Sequence, residues 1–351
     1  MSPSPFPVLR ASASRLPGLN LATTSFSSVC SDHMLVAEHR DGQWRDVDIR
    51  PYGPLPLLPA ISALQYGVSV FEGLKVQRSP RGEVLLFRVR DNWTRLNRST
   101  ARLAMPDVPE EIFLGGLRQL LRLDEAWVPA TGEGALYVRP CLFSIDPSVR
   151  VKPAERFLFV TFTFPFASYF PPSVDVWVAD RHVRAFPGGT GDVKAAGNYA
   201  PAHIADREAA ARGFQSVLWI DGRERRYIEE CGVMNVFFQI GDEWITPSLG
   251  GTILAGITRA SVIQVLRDEG ARVVERQISI DEVFEAADRG RLKEAFGTST
   301  AATLSNLGRI RHGAREIPLP GPFATGERVR ARLNAIATGQ AADAHGWIET
   351  L

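Results

Sequence analysis

The sequence predicts an α+β protein of two domains. Strand-like and helix-like segments are interspersed without the strict βαβα alternation of a doubly wound sheet. At 351 residues the chain is long enough for about two cores. A proline-marked stretch, "FPFASYFPPS" at 164–173, lies between two strand-rich regions and reads as an interdomain linker.

The elements follow in order. Residues 1–31 are rich in Ser, Pro and Ala, carry Arg10 and Arg15, and contain no acid. Prolines at 3, 5, 7 and 17 break any amphipathic helix, and no apolar core suits secretion. A flexible N-terminal arm on a cytoplasmic protein is expected. A small domain over 32–164 comes next. In it, 83–90 reads as a strand, Asp91 as the cap of a helix to about Leu103, and 109–125 as a second amphipathic helix. Residues 135–145 and 156–164 read as strands. The linker is set at 165–175 and a large domain at 176–351. There, 174–179, 216–221, 233–240 and 243–247 read as strands. Residues 198–212, with Pro201 tolerable in the first turn, 256–269 and 281–289 read as helices.

Composition narrows the function. Net charge is +1, so no strong field favours nucleic acid or an anionic membrane. The most apolar run, 157–170, is too short to span a bilayer. Three scattered cysteines and six histidines show no metal-ligand spacing and no disulfide framework.

Of 40 Lys+Arg, only Lys75, Lys152, Lys194 and Lys293 are lysines. A lysine can become a neutral nucleophile, which arginine cannot. Lys194 sits in "GGTGDVKAAGNYA", 188–200. A Walker A loop would need glycine at Val193, and a dinucleotide fingerprint would need it at Lys194 itself; both fail. What remains is a lysine in a close-packed turn. Its small neighbours let a flat ring approach and leave the amine poorly solvated. A solvated loop lysine is the bland alternative.

Seven stretches in order resemble the branched-chain amino acid aminotransferases, fold-type IV enzymes that use pyridoxal 5'-phosphate (PLP). They are "ALQYGVSVFEG" (63–73), "LFRVRDNWTRL" (86–96), "LYVRP" (136–140), "GGTGDVKAAGNY" (188–199), "YIEECGVMNVF" (227–237), "LAGITR" (254–259) and "FGTSTAA" (296–302). The resemblance implies a roster of roles. Lys194 forms the Schiff base to PLP and shuttles the proton. Glu230 pairs with the pyridine nitrogen. On a strand Glu229 must face the other way. Tyr199 bonds the phenolic oxygen. Arg95, the amides of Ile257 and Thr258, and Thr300 hold the phosphate. Tyr66 and the amides of Thr300 and Ala301 meet the substrate carboxylate. Phe71, Tyr137, Val151 and Tyr169 line the side-chain pocket, and Arg139 admits the γ-carboxylate of glutamate.

The implied reaction exchanges an amino group between L-leucine, L-isoleucine or L-valine and 2-oxoglutarate, in a homodimer whose small-domain loop near Val151 reaches the partner's pocket. Same-fold alternatives are a D-amino acid aminotransferase, an aminodeoxychorismate lyase, or an enzyme dedicated to an unusual amino acid. A non-catalytic interaction protein is a further alternative, disfavoured by the presence of both Lys194 and Glu230. The chain departs from the family at Arg150, where glycine is usual, at "PFASYF" in the linker, and at "ATLS" (302–305), where some members carry a redox CxxC.

Overall fold

The computed structural model describes residues 6–167, 171, 173–319 and 321–351. In chain order the main elements are β1 (His33–Arg40), β2 (Gln43–Pro51), α1 (Ser62–Tyr66), β3 (Ser69–Phe71), β4 (Leu74–Arg78), β5 (Val84–Phe87), α2 (Val89–Arg102), α3 (Gly116–Leu123), β6 (Ala135–Ser144) and β7 (Phe157–Phe166). They continue with β8 (Ser173–Val178), α4 (His203–Ala211), β9 (Ser216–Ile220), β10 (Ile228–Cys231), β11 (Met234–Ile240), β12 (Glu243–Thr246), α5 (Ile257–Asp268), β13 (Arg272–Glu275), α6 (Ile280–Asp288), β14 (Leu292–Ser299), β15 (Thr303–His312), β16 (Arg315–Pro318), α7 (Ala324–Ala337) and β17 (Ile348–Thr350). This mixture is α+β. The chain forms two compact units. One is Met1–Tyr169 with Lys194–Gly197 and Ile336–Leu351; the other is Phe170–Val193 with Asn198–Ala335.

The first unit is built on an antiparallel sheet of order β17-β5-β4-β6-β7-β1-β2, with β3 added on β6. Its inner strands are β-branched and aromatic, as "FLFVTFTFPF" of β7 illustrates. Leu96 of α2 and Leu117, Leu120 and Leu121 of α3 join Leu35, Val76 and Leu136 of the sheet in one core. Pro165 lies within β7, where a missing N–H would normally break a ladder. It is tolerated because β1 pairs only with Phe157–Phe162, so at Pro165 β7 has β6 alone as neighbour. The strand thus runs two residues beyond its expected end.

Helix α2 begins earlier than the expected Asp91 cap. Arg88, at φ 52°, turns the chain directly from β5 into the helix. Asp91 instead lies in the first turn and pairs with Arg88 Nε at 2.7 Å. The second expected helix opens as a π-helical turn over Glu111–Gly115 before α3. The segment expected as a flexible arm carries several anchors from residue 6 onward. Val8 bridges Ile49, and the Leu9 amide donates to Ile49 O at 2.8 Å. Buried Asp32 accepts from the Arg15 amide at 2.8 Å and from Trp127 Nε1 at 2.9 Å. Phe26 packs edge-on against Tyr137, Phe164 and Phe166.

In the second unit the strands run β10-β9-β8-β15-β14-β11, and β10 pairs back onto β11, closing the ring. β12 and β13 extend from β11, and β16 adds to β15. Pairings β8–β9, β8–β15 and β12–β13 are parallel; the others are antiparallel. Val176, Leu218, Val236, Phe238, Ala295 and Leu307 share a core with Ile280, Val283 and Phe284 of α6. The expected helix 198–212 is two short 3-10 turns, the second carrying Pro201, and then α4. Among the described residues no helix is long and apolar enough to cross a membrane.

Candidate active site

In the first unit Lys194 is held by its backbone. Its amide donates to Ser99 Oγ at 3.0 Å, and its carbonyl accepts from the Phe71 amide at 3.1 Å. Ala195 bridges Val70, so the lysine segment is laid along β3. This leaves the side chain as the variable part, with Nζ 4.8 Å from the Phe71 ring centroid. A cation over an aromatic face is favourable and costs little order.

Beside it lies an ion pair the sequence reading did not assign. Glu72 is fully buried and accepts two bonds from Arg95, from Nε at 2.7 Å and Nη2 at 2.8 Å. Asn92 Nδ2 and the Gly73 amide donate to the same carboxylate at 2.8 and 3.0 Å. Burial alone would raise the Glu72 pKa. The charges of Arg95 and Lys194 and these bonds outweigh it and hold the carboxyl below its ordinary range. Arg95 is therefore oriented by a bidentate anchor.

Tyr137, on β6, is buried, with its ring stacked on Phe164. A Cβ at Gly73 would lie 1.8 Å from the Tyr137 hydroxyl, which is why "VFEG" ends in glycine. Arg139, two residues along the same strand face, places its guanidinium carbon 4.7 Å from the Phe71 ring and 5.5 Å from the Tyr137 ring. Arg139 Nε is buried with no hydrogen-bond partner among the described residues. Tyr66 is half exposed and donates its hydroxyl to the Val149 carbonyl. Val151 is 88% exposed, and Arg150 is exposed in the same loop. Phe71, Tyr137, Arg139 and Lys194 thus come together, while Val151 stands apart on a loop. Tyr169 lies outside the described residues.

In the second unit Glu230 is 5% exposed on β10, paired with Asn235 across a two-residue turn. Gly232 takes φ 57° there, and a Cβ on it would fall 2.4 Å from Ser216 Oγ. The turn directs Glu230 into a small cavity it shares with Tyr199, Arg184, Asn198, Asn235 and Leu254. The Leu254 amide donates to Glu230 Oε1 at 2.8 Å, and Arg184 Nε lies 3.2 Å from Oε2. Arg184 also donates to the carbonyls of Gly191 and Thr252. Asn235 Nδ2 donates to Leu254 O at 2.9 Å, and only glycine fits at 256, where a Cβ would lie 2.0 Å from Asn235 Oδ1. Asn198 Nδ2 donates to Thr190 O and Val193 O at 2.7 and 2.9 Å, tying down the glycine-rich turn.

Glu229 faces away from this cavity and lines a different one. The alternation expected of a strand is observed. Ile257 and Thr258 open α5, whose first turn carries no acid, so the positive end of the helix dipole there is not offset by a carboxylate of its own turn. Thr300 and Ala301 lie in the turn joining β14 to β15, which Thr303 closes at φ 61°.

Each unit carries donors of a kind PLP takes: the first a lysine amine and an arginine, the second a buried carboxylate braced by a cation and an amide for a ring N–H, a phenol, and a helix start for a phosphate. Of the residues the sequence reading left unassigned, Glu72, Asn198, Asn235 and Leu254 lie inside stretches already singled out. Arg184 lies outside all of them, and only its distance to Glu230 reveals it.

A family model described as amino-transferase class IV matches residues 69–310. The chain is similar to the branched-chain-amino-acid aminotransferase of Mycobacterium tuberculosis (strain H37Rv). The two are 42% identical over 342 residues, covering 94% of this chain and 93% of that one. It is 44% identical over 298 residues to the branched-chain-amino-acid transaminase 1 of Bacillus subtilis (strain 168), covering 83% and 84%. Among solved structures, the branched-chain amino acid aminotransferase from Escherichia coli has a TM-score of 0.74 at 24% identity, covering 91% of this chain and 98% of that one. The branched-chain amino acid aminotransferase from Thermobaculum terrenum, in its PLP-form, has a TM-score of 0.72 at 22% identity, covering 90% and 97%.

Proposed function

Because the chain belongs to the class IV aminotransferases, we propose that it is a PLP-dependent branched-chain-amino-acid aminotransferase. It moves an amino group reversibly between leucine, isoleucine or valine and 2-oxoglutarate. The observation that carries this reading is the buried Glu230, braced by Arg184 and the Leu254 amide in a cavity shared with Tyr199.

Bound PLP supplies an electron sink for the charge left at the amino acid's α-carbon. The residues here divide the remaining work. Lys194 would hold the cofactor, and its Nζ would move the proton at the α-carbon. Glu230 would accept from the ring N–H and favour that nitrogen's protonated form. Tyr199 would donate to the phenolic oxygen. Arg95, the Ile257 and Thr258 amides and the Thr300 hydroxyl would hold the phosphate. Tyr66 and the amides of Thr300 and Ala301 orient the substrate carboxylate. Phe71 and Tyr137 give apolar surface that would exclude water from a leucine side chain, and Val151 would serve a partner's pocket rather than this one.

Arg139 reconciles two substrates in one pocket. Its stacking on Phe71 and Tyr137 supports an apolar side chain, and its partnerless Nε supports a carboxylate. Arg139→Ala is expected to lower kcat/KM for 2-oxoglutarate by about 10–100-fold, the worth of one charge-assisted bond, while leucine changes by less than about threefold. Steady-state kinetics with both substrates checks this; equal losses would remove the role. Activity with D-glutamate in place of L-glutamate would remove the substrate assignment.

The working assembly we infer is a cytoplasmic homodimer. Two apolar residues exposed on one loop, Val149 at 62% and Val151 at 88%, support the dimer, since such a pair is suited to cover by a partner. Sedimentation at assay concentration tests the dimer, and a fully active monomer would refute it.

A further inference from the structure

The second unit holds another cavity, of about 470 Å³, whose lining includes neither Lys194, Tyr199 nor Glu230. That volume falls within the range of small-molecule sites. Glu229 forms part of its wall. It is 5% exposed, and its Oε2 has no hydrogen-bond partner among the described residues. A buried carboxylate oxygen without a donor is costly, and a cationic N–H is the donor that offsets this best. Burial pushes the Glu229 pKa up, only partly countered by the Thr252 hydroxyl and Arg184, and Glu230 next to it adds to the rise.

Of the other charges around the cavity, Asp221 and Arg276 are already engaged, while the side chains of Arg223 and Glu224 are not among the described residues' ion pairs. Asp221 spends its carboxylate on the amides of Arg223, Glu224, Arg226 and Tyr227, which fixes the loop at the rim. Arg276 is paired with Glu282 through both terminal nitrogens. Arg223 lies on the fixed loop, is exposed, and has no ion-pair partner among the described residues; Glu224 beside it is also exposed. Apolar surface from Ile228, Pro247 and Ile253 completes the wall.

We propose that this cavity is a second binding site for a small apolar α-amino acid in its zwitterionic form. The ammonium group bonds Glu229, the carboxylate bonds Arg223, and the side chain lies against Ile228, Pro247 and Ile253. The inference stands on the cavity's own residues and does not depend on the transaminase reading.

The test uses holoenzyme reduced with borohydride, so that turnover is blocked. Equilibrium dialysis with radiolabelled L-leucine is expected to show saturable binding. Arg223→Ala and Glu229→Gln should each weaken it about tenfold or more. Arg223 is exposed, so that variant reports even where Glu229→Gln lowers stability. 4-Methylpentanoate, which lacks the amine, and leucinol, which lacks the carboxylate, should compete poorly. The proposal is overturned by no leucine binding at millimolar concentration, by equal binding in wild type and both variants, or by equal competition from 4-methylpentanoate. Failure of the transaminase reading would show separately, as a chain that borohydride leaves without fixed cofactor.

Discussion

Lys194→Ala is expected to abolish transamination, by at least about 10³-fold, together with the visible absorbance of lysine-bound PLP. The fold should survive, because the anchors at 194 are backbone atoms bonded to Ser99 and Phe71, and alanine keeps both. Borohydride reduction of the wild type should fix the cofactor to a peptide containing residue 194. The structure supplies a real competitor in Lys75, whose amine burial pushes down to about 8. A lysine in that range is a capable nucleophile at neutral pH. Labelling at Lys75 instead of Lys194 would end the assignment.

The second large effect is expected at Glu230. Glu230→Gln should retain PLP but lose about 10²-fold or more in kcat, because an amide cannot keep the ring nitrogen protonated. It should also lower the melting temperature. Arg184 would then be buried opposite a neutral group, and breaking such a pair costs on the order of 3–5 kcal/mol. Kinetics well below the melting temperature separates the two losses. Glu229→Gln should leave kcat within about threefold, since Glu229 faces the other cavity. A crippled Glu229→Gln beside a mild Glu230→Gln would mean that the register of β10 had been misassigned.

What could be read from the sequence divides along a physical line. Strands β6, β7, β9 and β11 and helices α5 and α6 announce themselves by local periodicity. The strand at β10 was legible as well, and with it the opposed faces of Glu229 and Glu230. β2, "QWRDVDIRP", alternates polar residues with few large apolar ones, and only its pairing with β1 makes it a strand. The π-helical turn before α3 and the positive φ of Arg88 follow from packing that no window of sequence contains. The same holds for chemistry. Lys194 and Glu230 sit in contiguous motifs. The Arg184 brace joins residues 46 apart by number, and the Glu72–Arg95 pair joins residues 23 apart.

The first sheet has a consequence for biosynthesis. Its outer strand, β17, pairs with β5, and Glu349 forms ion pairs with Arg90 and Arg118, the latter 231 positions earlier in the chain. A ribosome adding about 5–20 residues per second needs roughly 10–50 s to cover that distance. During that interval β5 emerges with one edge unpaired, and the whole second unit is made before the partner strand exists. An open edge is a template for pairing with a neighbouring nascent chain. On crowded polysomes this strand is therefore one where a chaperone's shielding would matter.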